Sequence, residues 1–271
     1  GKYWGHMNLR ERVDRFFIAQ FEGLSLDQAD EMDILEANGS VNFGSNKAYR
    51  AMLKKIKAGS PATNPDDLQY ILDNVDVDNL FEYMALEMFV GNSDIGNIRY
   101  YRLHQEGSKW KWIWYDADYG LYSSKFNSPW SYLKVKGMGE QKIDNTIFLK
   151  LLEHPDYKRK FLEKLADVYK TFTTEYMTQV LDGVLAEIQP EMKNHWERWG
   201  ELNDKAVTSE VPTTIDGAYT YWESRVNRLY NTLKVRPHRL WDFIKDEFKL
   251  TKTEMEELFG PQPDYPDDAV L

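Results

Sequence analysis

An α+β fold is what the sequence predicts, and three observations carry it. Trp110, Trp112 and Trp114 recur at period two within 109–115, opposite a second run at 98–104, which is the pattern of a β-hairpin. From Asn145 onward nearly every segment places its apolar residues at helical spacing. Strand and helix patterns do not alternate along the chain, so a parallel β/α design is not expected.

Taken in order, residues 2–10 mix aromatic and polar side chains in a loose alternation that reads as a strand. Val13, Phe16, Phe17, Gln20 and Phe21 follow at i, i+3, i+4 spacing and predict a helix. Residues 33–46 read as a short strand, a tight turn at Asn38-Gly39 and a loop. A short amphipathic helix over 48–56 stops at Gly59. Asn64-Pro65-Asp66-Asp67 places a capping side chain, a proline and two acids at a helix start. A further start at Asp78 opens a helix that is apolar most of the way round, ends at Gly91-Asn92 and should be buried.

Beyond the hairpin, helices are expected over 145–170, 174–200, 214–233 and 236–258, with a polar loop at 203–213 closed by Pro212. The organisation is one domain over 1–259, with a β-containing part at 1–60 and a helical part at 61–259. The proline-rich acidic tail at 260–271 is expected to fray.

Composition narrows the function. A net charge of −10 argues against a nucleic-acid or anionic-membrane binder, whose affinity comes from clustered Lys and Arg. The absence of cysteine excludes disulfides, thiol nucleophiles, zinc–thiolate sites and iron–sulfur clusters. No apolar run approaches the ~18–20 residues that span a bilayer. The chain opens on Gly1-Lys2 rather than Met, which reads as a piece of a longer protein. There is no phosphate loop, no His-Glu-x-x-His and no Gly-x-Ser-x-Gly, and Gly137-Met138-Gly139 lacks the third glycine of a dinucleotide fingerprint. The five histidines show no ligand spacing, and His195, beside Trp196 and Trp199, reads as a packing residue.

The chemistry-bearing stretch runs from Gly91 through Asp94 and Asn97, across the hairpin, to Asp116 and Asp118. A four-residue turn at 105–108 sets His104 against Lys109 and, counting outward, Asn97 against Asp116. Side chains directly opposed in this way have Cβ atoms about 4.5–5.5 Å apart. Asp118 points to the side of Asp116 by the two-residue period, and Asp94 sits in the loop feeding the hairpin. Grouped carboxylates and a carboxamide suit Mg²⁺ or Mn²⁺. The competing reading makes them turn-forming residues at strand ends, and a one-residue slip in register would move Asp116 to the other face.

These stretches resemble the spore coat protein H (CotH) kinases, atypical members of the protein-kinase-like fold. The matching pieces are Tyr3-Trp4-Gly5 running into Leu9 to Asp14, Gly91 to Arg102 with its Asp-x-x-Asn, and Trp112 to Gly120 with its Asp-x-Asp. Segments around Phe148, Tyr157 and His195 also look familial. The resemblance implies ATP and Mg²⁺ (or Mn²⁺) as cofactors and a protein hydroxyl as acceptor. It makes Asp94 the catalytic-loop aspartate that orients or deprotonates that hydroxyl, and Asn97 and Asp116 the metal-holding pair. Asp118 becomes a second metal ligand or an acid behind the ligands, and Glu11 and Asp14 come near the base and ribose. It also implies a reduced β-containing N-terminal part, a mainly helical C-terminal lobe with a central hairpin, and a bacterial surface, spore-associated or secreted location.

Two other classes stand beside the kinase. One is a catalytically inactive kinase-like module of surface or spore-coat assembly, consistent with a chain that opens almost at the hinge with no early-strand lysine for the phosphates. The other is a metal-dependent glycan hydrolase using Asp94 and Asp116 as its acid pair.

Overall fold

The computed structural model describes residues 1–135, 142–199 and 214–267. The architecture is mixed α and β, dominated by helices around one small antiparallel sheet. Two compact units emerge. The first comprises Arg12–Thr171 with His238–Asp264. The second comprises Gly1–Glu11, Phe172–Pro237 and the chain from Tyr265.

In the first unit, α1 (Arg15–Phe21) opens at Asp14, whose carboxylate accepts from the Phe16 and Phe17 amides. Strands β1 (Met32–Glu36) and β2 (Ser40–Phe43) form a hairpin, so the expected turn at Asn38-Gly39 leads into a second strand rather than a loop. Helix α2 (Lys47–Ala58) stops at Gly59, and α3 (Pro65–Asn74) is capped by Asn64, both as the local signals require.

Helix α4 (Val77–Val90) starts two residues earlier than expected, because the capping side chain is Asp76 rather than Asp78. Ten of its fourteen residues are buried, and it closes on Gly91 at φ 67°, a left-handed conformation that glycine adopts without strain. Strands β3 (Arg99–Leu103) and β4 (Lys111–Ile113) complete a sheet ordered β2-β1-β3-β4. Met32, Ile34, Tyr101 and Leu103 pack with Ile18 and Ala19 of α1 in one core cluster. In another, Tyr49 of α2 meets Tyr100 and Trp110 at an angle and Trp112 stacks on Tyr100. With cores on both sides, β1 is buried at four successive positions instead of alternating.

The outer edge of β4 is closed rather than open to a further strand. Asn79 of α4 donates to the Trp112 carbonyl (3.1 Å) and accepts from the Trp112 amide (2.6 Å), copying a neighbouring peptide group. Trp110 is held the same way by the backbone of Asn74 and Asp76. Trp114, expected on the same face as Trp110 and Trp112, lies past the strand end and is 44% exposed.

Helices α5 (Ser128–Lys134), α6 (Thr146–Leu152) and α7 (Pro155–Thr171) follow. The expected helix over 145–170 is therefore two, separated at Glu153-His154 ahead of Pro155. Phe81 of α4, Phe148 of α6 and Phe161 of α7 meet edge to face at 4.8–6.2 Å.

The second unit holds α8 (Thr174–Trp199) and the part of α9 (Ile215–Phe248) up to Pro237. The expected helices at 214–233 and 236–258 divide elsewhere: α9 runs on to Phe248, Lys249 turns the chain at φ 59°, and α10 (Lys252–Phe259) restarts behind a Thr251–Glu254 capping box.

Residues 2–10 form no strand. Alternation makes a strand only where a sheet edge accepts it, and here the backbone is taken by α8 side chains. Trp199 donates to the Trp4 carbonyl (2.7 Å), and the His6 amide donates to His195 Nδ1 (3.1 Å). Gly5 bends the segment at φ 93°, and a β-carbon there would stand 2.5 Å from the Trp199 indole nitrogen. His195 is thus a structural partner, its pKa lowered by burial and by His6.

Within the first unit, Trp241 donates to the Gly260 carbonyl (3.1 Å) and His238 meets the Pro263 carbonyl (2.7 Å). The 203–213 loop and Gly137-Met138-Gly139 lie outside the described residues.

Candidate active site

The site is built where α4 ends and the β3–β4 hairpin opens. Gly91 reverses the chain, and the Asn92 carboxamide accepts from the Asp94 amide (3.0 Å), which shapes the loop carrying Asp94. The Asn97 amide then donates to the Asp94 carbonyl (3.3 Å), holding 94–97 as one turn before β3.

The hairpin register differs from the expected one by a residue. Arg99 pairs with Ile113, Tyr100 with Trp112 and Tyr101 with Lys111, so Asn97 does not face Asp116 across the ladder. The His104 amide is drawn to the Glu31 carbonyl (2.8 Å), extending the β1 pairing, and residues 104–110 separate the two strands where a four-residue turn at 105–108 was expected. Such a slip puts alternate side chains on the opposite face. Asn97 Nδ2 nonetheless donates to Asp116 Oδ2. The contact forms because β4 stops at Ile113 and Asp116 itself adopts φ 54°, a left-handed conformation open to Asp that swings the carboxylate back.

Tyr115 ties the group together. Its hydroxyl donates to Asn97 Oδ1 (2.9 Å), and its pKa is raised by burial, with Glu36, Asp116 and Asp94 adding to the rise and Arg99 opposing it. The Arg99 guanidinium stacks on the Tyr115 ring (4.9 Å), pairs with Glu36 (3.2 Å) and donates to the Val13 carbonyl. That last bond brings the chain beside Asp14 to the hairpin, while the Asp14 carboxylate serves as the α1 cap.

Asn97 and Asp116 are therefore in contact, and Asp94 shares their electrostatic neighbourhood. Asp118 is exposed, and among the described residues no hydrogen bond joins it to this group; Glu11 is exposed and belongs to the second unit. Also among the described residues, no three His, Asp or Glu side chains stand close enough to hold a metal by themselves.

The residue the sequence reading missed is Glu87. It is 1% exposed on α4, and the Tyr132 hydroxyl of α5 donates to it at 2.7 Å. Burial raises its pKa and neighbouring Asp94 adds to the rise, against hydrogen bonds from Tyr132, Asn92 and Trp114. Tyr132 is itself fully buried and pushed well up by burial and by Glu87. An acid in the middle of an apolar helix was the available signal.

Among the described residues no helix is long and apolar enough to cross a membrane. No curated protein and no solved structure matches the chain. One family model does, that described as CotH kinase protein, over residues 1–240. The aligned stretch takes in Asp94, Asn97, Asp116 and the loop and hairpin that position them, and on this match the chain belongs to the CotH kinase family.

Proposed function

We propose that the chain acts as an atypical kinase, moving a phosphoryl group from Mg·ATP to a serine or threonine hydroxyl of a protein. Family membership makes the chain kinase-like or a spore coat protein, and the contact between Asn97 and Asp116 beside the Asp94 loop is the observation that carries the finer reading. The sheet then belongs to a reduced nucleotide-side part, and the helices to the lobe that receives the protein substrate.

The side chains fit the cofactor in kind. A carboxylate and a carboxamide offer hard oxygen donors, and Mg²⁺ is commonly held by one or two carboxylates together with substrate phosphates rather than by a complete protein cage. Asn97 and Asp116 would hold the ion, with Asp118 beside them, and Glu11 and Asp14 would lie towards the base and ribose. When bound, Mg·ATP supplies the transferable phosphoryl group and offsets the charge on its oxygens. Asp94, held by the Asn92 turn, orients the acceptor hydroxyl and takes its proton on a carboxylate oxygen. Tyr115 and Arg99 keep Asn97 and the strand exit in place.

One observation favours a second reading, an inactive module of spore-coat or surface assembly. Both ends of the Asn97 carboxamide are already engaged, by Asp116 and by the Tyr115 hydroxyl. A calorimetric titration with Mg·ATP separates the two. The kinase reading expects binding that Asp116→Asn abolishes, and an Asp94→Ala variant that binds yet transfers at least ~100-fold more slowly. Absence of binding, or full activity in either variant, sinks it in favour of the assembly module.

A further inference from the structure

Apart from the Asn97–Asp116 contact, the first unit contains a cavity of about 380 Å³ between α1, α4 and β4. Its walls are largely aromatic and aliphatic, with Phe17 and Phe21 from α1, Leu86 from α4, and Trp112 and Trp114 at β4. Phe21 is 73% exposed and Trp114 44%, so the apolar surface continues outward past the cavity. Exposed aromatics bordering a formed pocket are an ordinary mark of a binding surface.

The charges around it have one sign left over. Lys111 is closed into an ion pair with Glu22 (2.7 Å), whose pKa is lowered by Lys111 and by the Tyr101 hydroxyl against the opposing effect of burial. Asn79 spends both halves of its carboxamide on the Trp112 backbone. The remaining charged side chains of the lining are Asp76, half-buried with one carboxylate oxygen capping α4 through the Asn79 amide, and Glu82, exposed further along the same helix. An apolar hollow edged by carboxylates favours an apolar body carrying a cation.

We infer that this cavity docks a polypeptide segment in which Lys or Arg flanks a large apolar side chain. The apolar side chain fills the hollow against Leu86 and Trp112, and the flanking cation lies by Glu82 and Asp76. A segment is favoured over a small amine because Phe21 and Trp114 extend the contact beyond the cavity. The inference does not depend on phosphoryl transfer, since its test reads binding alone.

The test is fluorescence anisotropy at low salt with two labelled peptides, alternating Lys-Leu and alternating Glu-Leu. The basic peptide should bind and the acidic one should not. Glu82→Lys should weaken binding at least about fivefold, a modest change for reversing a rim charge. Glu163→Lys, the same charge change on an exposed residue of α7, should change it less than about twofold. Phe21→Ala, at an exposed position that leaves the fold intact, should weaken it by about threefold or more. The inference is overturned if the basic peptide does not bind or if both peptides bind alike. It is equally overturned if Glu163→Lys weakens binding as much as Glu82→Lys, which would show general attraction to an acidic chain, or if Phe21→Ala has no effect.

Discussion

Asp116 shows how much a single backbone torsion can decide. Strand pairing alone would have left its carboxylate away from Asn97; a left-handed φ at the strand exit brings the two together. Asn adopts this conformation as readily as Asp, so Asp116→Asn tests charge without disturbing the chain. Glu87 makes a different argument. Its raised pKa means that folding favours the protonated form, so its contribution to stability is complete below the ordinary glutamate value of 4.5 and is lost as pH rises through the folded value. Glu87→Gln keeps the acceptor for Tyr132 and removes the buried charge. Thermal melts should show this variant more stable than the parent at pH 7, with the gain shrinking towards zero below about pH 4.5. A variant less stable at pH 7 would mean that the ionised carboxylate is what the hydrogen bonds of Tyr132, Asn92 and Trp114 stabilise.

Among the elements, the β4 edge carries the most consequence for the site. The sheet ends there, and the Asn79 carboxamide stands where another strand would pair. Asn79→Ala leaves the Trp112 amide and carbonyl without those bonds and should cost roughly 1–3 kcal/mol in urea unfolding, the usual range for a stranded buried polar group. An unchanged midpoint would show that water replaces the carboxamide. Local signals made several elements legible: the Asn64 cap before α3, the Gly59 stop after α2 and the Gly91 stop after α4 all stand as the residues require. Helix α5 carries a comparable start, Asn127 accepting from the Trp130 amide with Pro129 in the first turn, so its signal too stands in the sequence. The strand expected at 2–10 failed for a reason no local pattern contains, since pairing needs an edge and these residues meet Trp199 and His195 instead.

At the scale of the molecule, the two units differ in how much they bury. In the second, the buried apolar side chains among the described residues are few, chiefly Leu185, Met192, Leu233 and Val235, together with a buried Arg236 whose pKa falls to about 10 through burial. The first has a mainly aliphatic core on one face of its sheet, an aromatic one on the other and a third among α4, α6 and α7. Buried apolar area sets the cost of opening. Amides in the body of α8 should therefore exchange with deuterium well before those of α4 and β1, as mass spectrometry of peptides from each element would show. Uniform protection would mean that the units open together.

Sequence by itself determined the α+β class, the hairpin, the buried helix that feeds the loop, and the choice of Asp94, Asn97 and Asp116 as the residues to examine. All of these rest on spacing and caps, which are short-range. Only the tertiary structure decided the hairpin register, the course of residues 2–10 and the burial of Glu87 beneath the Asp94 loop. Each of those depends on which distant backbone or side chain competes for the same hydrogen bond, as Glu31 does for His104 and Trp199 for Trp4. Such competition is settled by packing in three dimensions, where no period along the chain records it.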